Sequence, residues 1–190
     1  MYLILKRIFD TIFALISIIL LMPIFLFISL AIKLEDQGQV IYWSERIGKE
    51  KRTFKMPKFR TMAMNSPQIA THLLENPDEL ITKVGSFMRR YSIDELPQLW
   101  SILIGDMSFV GPRPALFNQD DLVRARDQGS INSLRPGLTG WAQVNGRDNL
   151  SIEEKVEFEK EYKSRASILF DFGIILKTFK IVITRFGVKH

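Results

Sequence analysis

An apolar stretch near the N-terminus limits, more than any other feature, what this chain can fold into. No charged residue occurs from Thr11 to Ile32, a length over which a helix can cross the hydrocarbon core of a bilayer. Pro23 lies near the middle of the stretch, where it removes a helical hydrogen bond and bends the axis. Lys6 precedes the stretch and Lys33 follows it. Because basic flanks favour the cytoplasmic side of a membrane, the pattern predicts a re-entrant helix over residues 1–34, with both ends in the cytoplasm.

Two other interpretations fit the same stretch. A straight transmembrane span is consistent with the length alone. A cleaved signal peptide is suggested by the small-x-small site Ser29-Leu30-Ala31, although the apolar region is longer than the usual core of a signal peptide. The central proline and the basic residues on both flanks favour the re-entrant helix over either alternative.

The rest of the 190-residue chain is long enough for one soluble domain, which we assign to residues 35–166. A hydrophobic content of 46% predicts that this domain folds around a packed core. The formal net charge of +5 favours anionic partners such as nucleotides, nucleic acid or a phospholipid surface. The chain has no cysteine, which excludes disulfides, thiolate chemistry and cysteine-based zinc sites.

Local patterns predict an α+β fold that is mostly helical. Short β-prone runs over residues 40–43 and 53–56 are separated by a charged segment, which predicts a small β-hairpin. Ser151 and Glu154 have the spacing of a capping box, and a helix is expected to run from there to about Ala166.

The C-terminal residues 167–190 carry apolar side chains at helical spacing, with basic side chains on the opposite face. The pattern fits either an amphipathic helix at a membrane interface or an ordinary core helix, and the aromatic content favours the interface. The apolar positions are Phe172, Ile175, Leu176, Phe179, Val182, Ile183 and Phe186, and the basic ones are Lys177, Lys180 and Arg185.

Asp94 and Glu95 are the first candidates for chemistry. Pro97 predicts that a helix begins close by, with the acidic pair in its first turn. Adjacent helical side chains point about 100° apart, so the two carboxylates would act on different atoms. The helix N-terminus is expected to lower the carboxyl pKa and to attract phosphate. The alternative is structural, with Asp94 capping the helix and Glu95 completing a capping box with Ser92.

Basic side chains lie beside turn signals or beside the acidic pair. Guanidinium groups match phosphate oxygens in bidentate fashion, so their convergence would form a diphosphate site. Each residue alone fits an ordinary solvated surface equally well. The candidates are Lys58, Arg60, Arg89, Arg113, Arg135 and Arg147.

Four segments together resemble the monotopic phosphoglycosyl transferase superfamily, the bacterial sugar transferases, in its small form with the catalytic domain alone. They are KFRTM at 58–62, SIDELPQLW at 92–100, GDMSFVGPRP at 105–114 and RPGLTGWAQVNGR at 135–147. The resemblance covers nearly the whole chain and favours catalysis over capping at the acidic pair. It implies that residues 35–166 form the catalytic domain and that amphipathic helices rest on the membrane.

The resemblance implies a ping-pong reaction in which Asp94 attacks the β-phosphorus of a UDP-sugar and UMP leaves. Undecaprenyl phosphate then takes the sugar phosphate from Asp94. Glu95 is expected to bind Mg²⁺. By similarity Lys58, Arg89 and Arg113 would contact phosphate, and Arg147 would lie near the nucleotide or sugar.

The resemblance further implies a monotopic protein on the cytoplasmic face of the bacterial inner membrane. Membrane lipid is an expected partner, and a homodimer is included among the expected assemblies. The alternative function is a non-catalytic membrane-surface module that binds polyprenyl phosphate or anionic lipid. Nucleic acid is not an expected partner, because the arginines cluster between glycine and proline rather than along a helix.

Overall fold

Helices dominate a computed structural model that describes residues 1–64, 66, 80–146 and 149–184. The strands are β1 (Ile41–Ile47), β2 (Thr53–Phe59), β3 (Ser108–Val110), β4 (Ala115–Leu116) and β5 (Gly137–Thr139). The helices are α1 (Tyr2–Glu35), α2 (Lys83–Arg90), α3 (Gln98–Ile104), α4 (Asp120–Asp127), α5 (Trp141–Val144), α6 (Ile152–Arg165) and α7 (Ile168–Thr184). Short 3₁₀ turns lie at Lys49–Lys51, Ile93–Glu95 and Ile131–Ser133.

The long helix α1 exposes its apolar side chains. Among the described residues it is the one helix long and apolar enough to cross a membrane. Leu20 and Phe27 are each 71% exposed, and burial is confined to Asp10, Ala14, Ile28 and Ile32. Exposed apolar surface on this scale is stable in lipid rather than in water, which confirms an N-terminal membrane helix. The helix continues through Pro23, so this proline does not separate two helices with a loop.

Both ends of α1 are bound to the same domain. At the N-terminal end Nη1 of Arg7 donates a hydrogen bond to the carbonyl of Ile102, on α3, at 2.6 Å. At the C-terminal end the carboxylate of Glu35 accepts hydrogen bonds from the backbone N–H groups of Lys83, at 2.7 Å, and Val84, at 3.1 Å. The domain therefore fixes α1 at two points far apart along its length.

The expected small hairpin is confirmed and is longer than predicted. β1 and β2 pair antiparallel with Ser44 opposite Met56, and the two-residue strand β4 adds to the free edge of β1. β3 and β5 form a separate parallel pair. In the first sheet the end of β2 lies opposite the start of β1, with Phe59 opposite Ile41, whereas the start of β4 lies opposite the end of β1, with Ala115 opposite Ile47.

Two apolar clusters join α1 to the sheet and to the short helices. Ala14 of α1 packs with Met56 of β2 and Leu99 of α3. Ile28, further along α1, packs with Phe59 of β2. Because the core is shared in this way, the membrane helix positions β2 and α3, the elements that flank the acidic pair.

The two predicted C-terminal helices are present. Ser151 and Glu154 form the capping box, and α6 ends at Arg165. α7 presents an outward apolar stripe, with Phe172 and Phe179 59% and 62% exposed, which fits an interfacial helix better than a core helix. The predicted members Arg185 and Phe186 lie outside the described residues.

Candidate active site

The acidic pair lies in the 3₁₀ turn Ile93–Glu95, between α2 and α3. The prediction that the pair occupies the first turn of a helix is wrong, because the pair lies a few residues before the helix begins. α3 begins at Gln98, and Pro97 is its N-cap residue. Ser92, before the turn, has a left-handed φ of 56°, a conformation that costs energy for a residue with a side chain and is common at functional sites.

The capping-box alternative is also wrong. The side chain of Ser92 makes no capping hydrogen bond at the turn. The carboxylate of Glu95 instead accepts a hydrogen bond from Nζ of Lys58 at 2.8 Å. A carboxylate bound to an ammonium is held for charge rather than for helix capping.

Cations from two other elements converge on the acidic pair. Lys58, on β2, reaches Oε1 of Glu95 and also lies 4.0 Å from Oδ2 of Asp94. Arg113, between β3 and β4, places Nη2 3.5 Å from the same Oε1 of Glu95. The side chains of Lys58, Asp94 and Glu95 are 17%, 13% and 13% exposed, so solvent screens these charges only partly. A diphosphate site was predicted only if basic side chains converged, and Lys58 and Arg113 converge here.

Arg89 completes the basic side of the turn from the end of α2. Its Nε donates to Oγ1 of Thr61 at 2.9 Å, which fixes the guanidinium. Its charge also lowers the pKa of Asp94, which places it within electrostatic reach of that carboxylate.

Burial raises the pKa of Asp94 to about 6, with Lys58 opposing the shift and the negative charge of Glu95 adding to it. The expected lowering by a helix N-terminus is therefore wrong. A three-residue 3₁₀ turn supplies little dipole, and desolvation outweighs it. At pH 7 the carboxylate form still predominates by about ten to one. Asp94 is thus a partly desolvated anion, which suits a nucleophile.

Arg46 was not among the predicted site residues and belongs beside them. On β1, its Nε donates to Oγ of Ser44 at 3.0 Å and its Nη1 donates to the carbonyl of Pro114 at 3.3 Å. Burial lowers the pKa of Arg46 to about 10, the nearby Arg113 lowers it further, and Glu95 raises it. Two guanidinium groups and one carboxylate therefore share this corner, where an additional anion would relieve the repulsion between the cations.

Two predicted residues make their contacts elsewhere. Nη2 of Arg60 donates to the carbonyl of Asp36 at 2.6 Å, and its Nη1 lies 3.2 Å from the Asp36 carboxylate, at the end of α1. Nε of Arg135 donates to the carbonyl of Gly105 at 3.0 Å, just after α3. Neither contact involves the acidic pair. Arg147 lies outside the described residues.

The donor set fits a magnesium ion that a substrate helps to bind. Within the described part of the chain, no three His, Cys, Asp or Glu side chains gather as a metal cage. Mg²⁺ usually takes only one or two protein carboxylates and fills its remaining positions with substrate phosphates and water. Glu95 supplies one such carboxylate, and the adjacent Asp94 remains the candidate nucleophile.

An apolar groove of about 320 Å³ opens beside the acidic turn. Two of its lining residues are close in sequence to the charged residues, since Pro57 precedes Lys58 and Pro97 follows Glu95 after one residue. The groove extends from there toward the middle of α1. Its lining residues are Ile18, Met22, Phe25, Ile41, Trp43, Pro57, Pro97 and Trp100.

Comparison with known proteins shows the family to which the chain belongs. The family model described as bacterial sugar transferase matches residues 1–185. An uncharacterized sugar transferase of Haemophilus influenzae is 38% identical over 97% of this chain and 42% of the relative. The exopolysaccharide production protein ExoY of Sinorhizobium fredii is 38% identical, over 93% of this chain and 84% of the relative. The UDP-glucose:undecaprenyl-phosphate glucose-1-phosphate transferase of Escherichia coli is 40% identical, over 92% and 39%.

The chain spans about two fifths of the Haemophilus influenzae and Escherichia coli relatives, and most of the Sinorhizobium fredii one. The matched region includes the acidic turn, the basic residues around it and the apolar helix α1. With a family model covering nearly all of its length, this chain belongs to the bacterial sugar transferase family.

Proposed function

We propose that the chain transfers a sugar 1-phosphate from a UDP-sugar to undecaprenyl phosphate and releases UMP. The observation that carries the proposal is the partly buried cluster of Asp94, Glu95 and Lys58, with Arg113 at its edge, next to an apolar groove. Charge and apolar surface thus adjoin, as an acceptor with a phosphate head and an isoprenoid tail requires. The name of the Escherichia coli relative, which specifies UDP-glucose and undecaprenyl phosphate, supports the same substrates.

In the first step, a carboxylate oxygen of Asp94 attacks the β-phosphorus of the UDP-sugar. A new bond forms between that oxygen and phosphorus, and the bond from phosphorus to the bridging oxygen breaks. UMP leaves with the bridging oxygen, and the sugar phosphate remains on Asp94. Lys58 and Arg113 offset the negative charge that would otherwise repel the carboxylate from the diphosphate.

In the second step, a phosphate oxygen of undecaprenyl phosphate attacks the same phosphorus. The bond to Asp94 breaks, and the carboxylate is restored with its original charge. One diphosphate linkage is broken over the two steps and another is made. Lys58 lies beside both carboxylates, nearer to Glu95 than to Asp94, and its positive charge can neutralise the incoming phosphate.

Glu95 is the group that would hold Mg²⁺. When bound, the ion would neutralise the phosphate oxygens of the donor and so favour departure of UMP. The adjacency of the two carboxylates means that one can hold the cation while the other serves as nucleophile.

The groove is the place for the first isoprene units of the acceptor. Trp100 on α3 and Trp43 on β1 supply broad apolar walls, and Met22 of α1 also lines the groove. An acceptor seated there would present its phosphate toward the acidic turn, because Pro97 lines the groove and follows Glu95 after one residue.

The two attachments of α1 support a monotopic topology. Arg7 at one end and Glu35 at the other both bind the domain of residues 35–166, which supports a topology with both ends on one side of the bilayer. The basic flanks of the apolar stretch favour the cytoplasm for that side. We therefore assign the protein to the cytoplasmic face of the inner membrane, with α1 entering and leaving on that face.

The test uses the full chain in lipid nanodiscs with Mg²⁺ and radiolabelled UDP-glucose, UDP-galactose or UDP-N-acetylgalactosamine. At least one donor is expected to release UMP when undecaprenyl phosphate is present. Without acceptor, labelled UMP is expected to exchange into the same UDP-sugar, since a covalent intermediate permits that exchange. Asp94→Asn should abolish both reactions. Binding of undecaprenyl phosphate with no UMP from any donor would favour the non-catalytic membrane module instead.

A further inference from the structure

The loop that carries Arg113, residues 111–114 and hereafter the GPRP loop, is held through its backbone. The N–H of Gly111 donates to the carbonyl of Thr139 at 2.9 Å. The carbonyl of Pro112 accepts from the N–H of Gly137 at 2.8 Å. These bonds tie the first half of the loop to β5.

The second half of the GPRP loop is bound by two arginine side chains. The carbonyl of Arg113 accepts from Nη2 of Arg126 at 2.9 Å. The carbonyl of Pro114 accepts from Nη1 of Arg46 at 3.3 Å. A hydrogen bond from a charged donor is stronger than a neutral one, so these contacts restrict the backbone on either side of the Arg113 side chain.

Arg126 is itself fixed by Glu159. Nε of Arg126 lies 2.8 Å from Oε2 of Glu159, and Nη2 lies 2.5 Å from Oε1. Arg126 is on α4 and Glu159 on α6, and the residues are 5% and 3% exposed. A buried ion pair adds little net stability, because desolvation offsets the attraction. Its more specific consequence here is to aim one N–H at the carbonyl of Arg113.

We propose that Arg126, oriented by Glu159, is a positioning residue that keeps the guanidinium of Arg113 beside Glu95. Nη2 of Arg113 lies 3.5 Å from Oε1 of Glu95. A small displacement of the backbone at Arg113 would move this cation away from the acidic pair, and catalytic and binding groups tolerate little misplacement. The identity of the anion held there, the diphosphate of a UDP-sugar, rests on the proposed function.

The test replaces the ion pair by apolar side chains, Arg126→Met together with Glu159→Leu. Such replacements of buried pairs commonly preserve folding, while here they remove the donor to the carbonyl of Arg113. UDP with Mg²⁺ is titrated calorimetrically into the full chain in detergent, and hydrogen exchange is measured on peptides that cover the GPRP loop. We expect a folded protein with faster exchange in this loop and about tenfold weaker UDP binding, as expected when an ordering charge-assisted hydrogen bond is removed.

Arg113→Ala supplies the second arm of a double-mutant cycle. In the Arg113→Ala background the substitutions Arg126→Met and Glu159→Leu should weaken UDP binding no further, because the guanidinium that Arg126 positions is already absent. Lys163→Gln is the matched control. It removes a cation on α6 that donates to the carbonyls of Gly129 and Ser130, and it should change neither UDP affinity nor exchange in the GPRP loop.

Unchanged UDP affinity and unchanged exchange in the apolar variant would overturn the inference. The inference would also be overturned if the double substitution weakened UDP binding equally with and without Arg113, or if the variant could not fold. Either outcome would mean that Arg126 and Glu159 stabilise the fold in general rather than position Arg113. UDP binding and hydrogen exchange require no turnover. A wild-type chain that binds UDP but releases no UMP would therefore refute the proposed function and leave this test decisive.

Discussion

The ammonium of Lys58 lies 2.8 Å from Oε1 of Glu95, at the end of a strand that also packs against the membrane helix. The same ammonium is 4.0 Å from Asp94, so one cation serves both members of the acidic pair. Lys58 therefore influences the protonation of Asp94, the more distant of the two carboxylates.

Lys58→Met is expected to move the pH profile of the reaction. Lys58 opposes the upward shift in the pKa of Asp94, which stands at about 6, so its removal should raise that pKa further. The acid limb of kcat/KM for the UDP-sugar should move to higher pH, and activity at pH 7 should fall by about tenfold or more. Lys55→Met, on the exposed face of the same strand, is the control and should leave the limb in place. An unmoved limb in Lys58→Met would contradict the electrostatic role.

Asp94→Asn is expected to stabilise the folded protein at high pH. The carboxyl pKa is about 6 in the folded chain against an ordinary value of 3.8, so the folded state holds the proton more tightly. Stability from this group is present below pH 3.8 and is lost as the pH rises to about 6. The variant should therefore gain about 3 kcal/mol over wild type at pH 8. Melting temperatures from pH 4 to pH 8 check this, and a constant difference would contradict the raised pKa.

Trp100→Gln is expected to separate the two half-reactions. Trp100 lines the apolar groove and is 52% exposed, so the change should not disturb the core. The burst of UMP with donor alone should be unaffected. Transfer to undecaprenyl phosphate should slow by about tenfold, because the isoprenoid tail would bury less apolar surface against the shortened side chain. Phe117→Gln, at a site 56% exposed that does not line the groove, is the control. Equal slowing of both half-reactions would place the acceptor elsewhere.

Thiol labelling is expected to find both ends of α1 on one side of the membrane. The chain has no cysteine, so Leu3→Cys and Gln39→Cys each introduce a single reporter. A membrane-impermeant maleimide should label both in inverted inner-membrane vesicles and neither in intact spheroplasts. Leu20→Cys, 71% exposed at the middle of the helix, should resist labelling from both sides. Labelling of one end from outside would show a straight span.

Local patterns predicted local structure well in this chain. The membrane helix, the hairpin and the Ser151 capping box each depend on residues close in sequence, and each is present. Arg46 was missed because β1 was predicted to end at Trp43. In a strand that runs to Ile47, alternation places Arg46 on the same face as the buried Ser44.

Convergence was the part that sequence patterns could not resolve. Arg113, Arg60 and Arg135 all lie beside turn residues, yet Arg113 meets Glu95 while Arg60 binds Asp36 and Arg135 binds a carbonyl after α3. An arginine that faces the active site and an arginine that binds elsewhere in the fold have the same kind of neighbours in the sequence. The pKa of Asp94 was mispredicted for a related reason, since its burial depends on elements distant in sequence.

The covalent intermediate is the central claim, and mass spectrometry of the intact protein tests it directly. The full chain is incubated with Mg²⁺ and a UDP-sugar that supports UMP release, without acceptor, and quenched in acid. The account predicts a mass increase of one sugar phosphate, mapped by peptide analysis to Asp94, and absent when undecaprenyl phosphate is added before the quench. UMP release with no adduct, or with an adduct on a different residue, would contradict it.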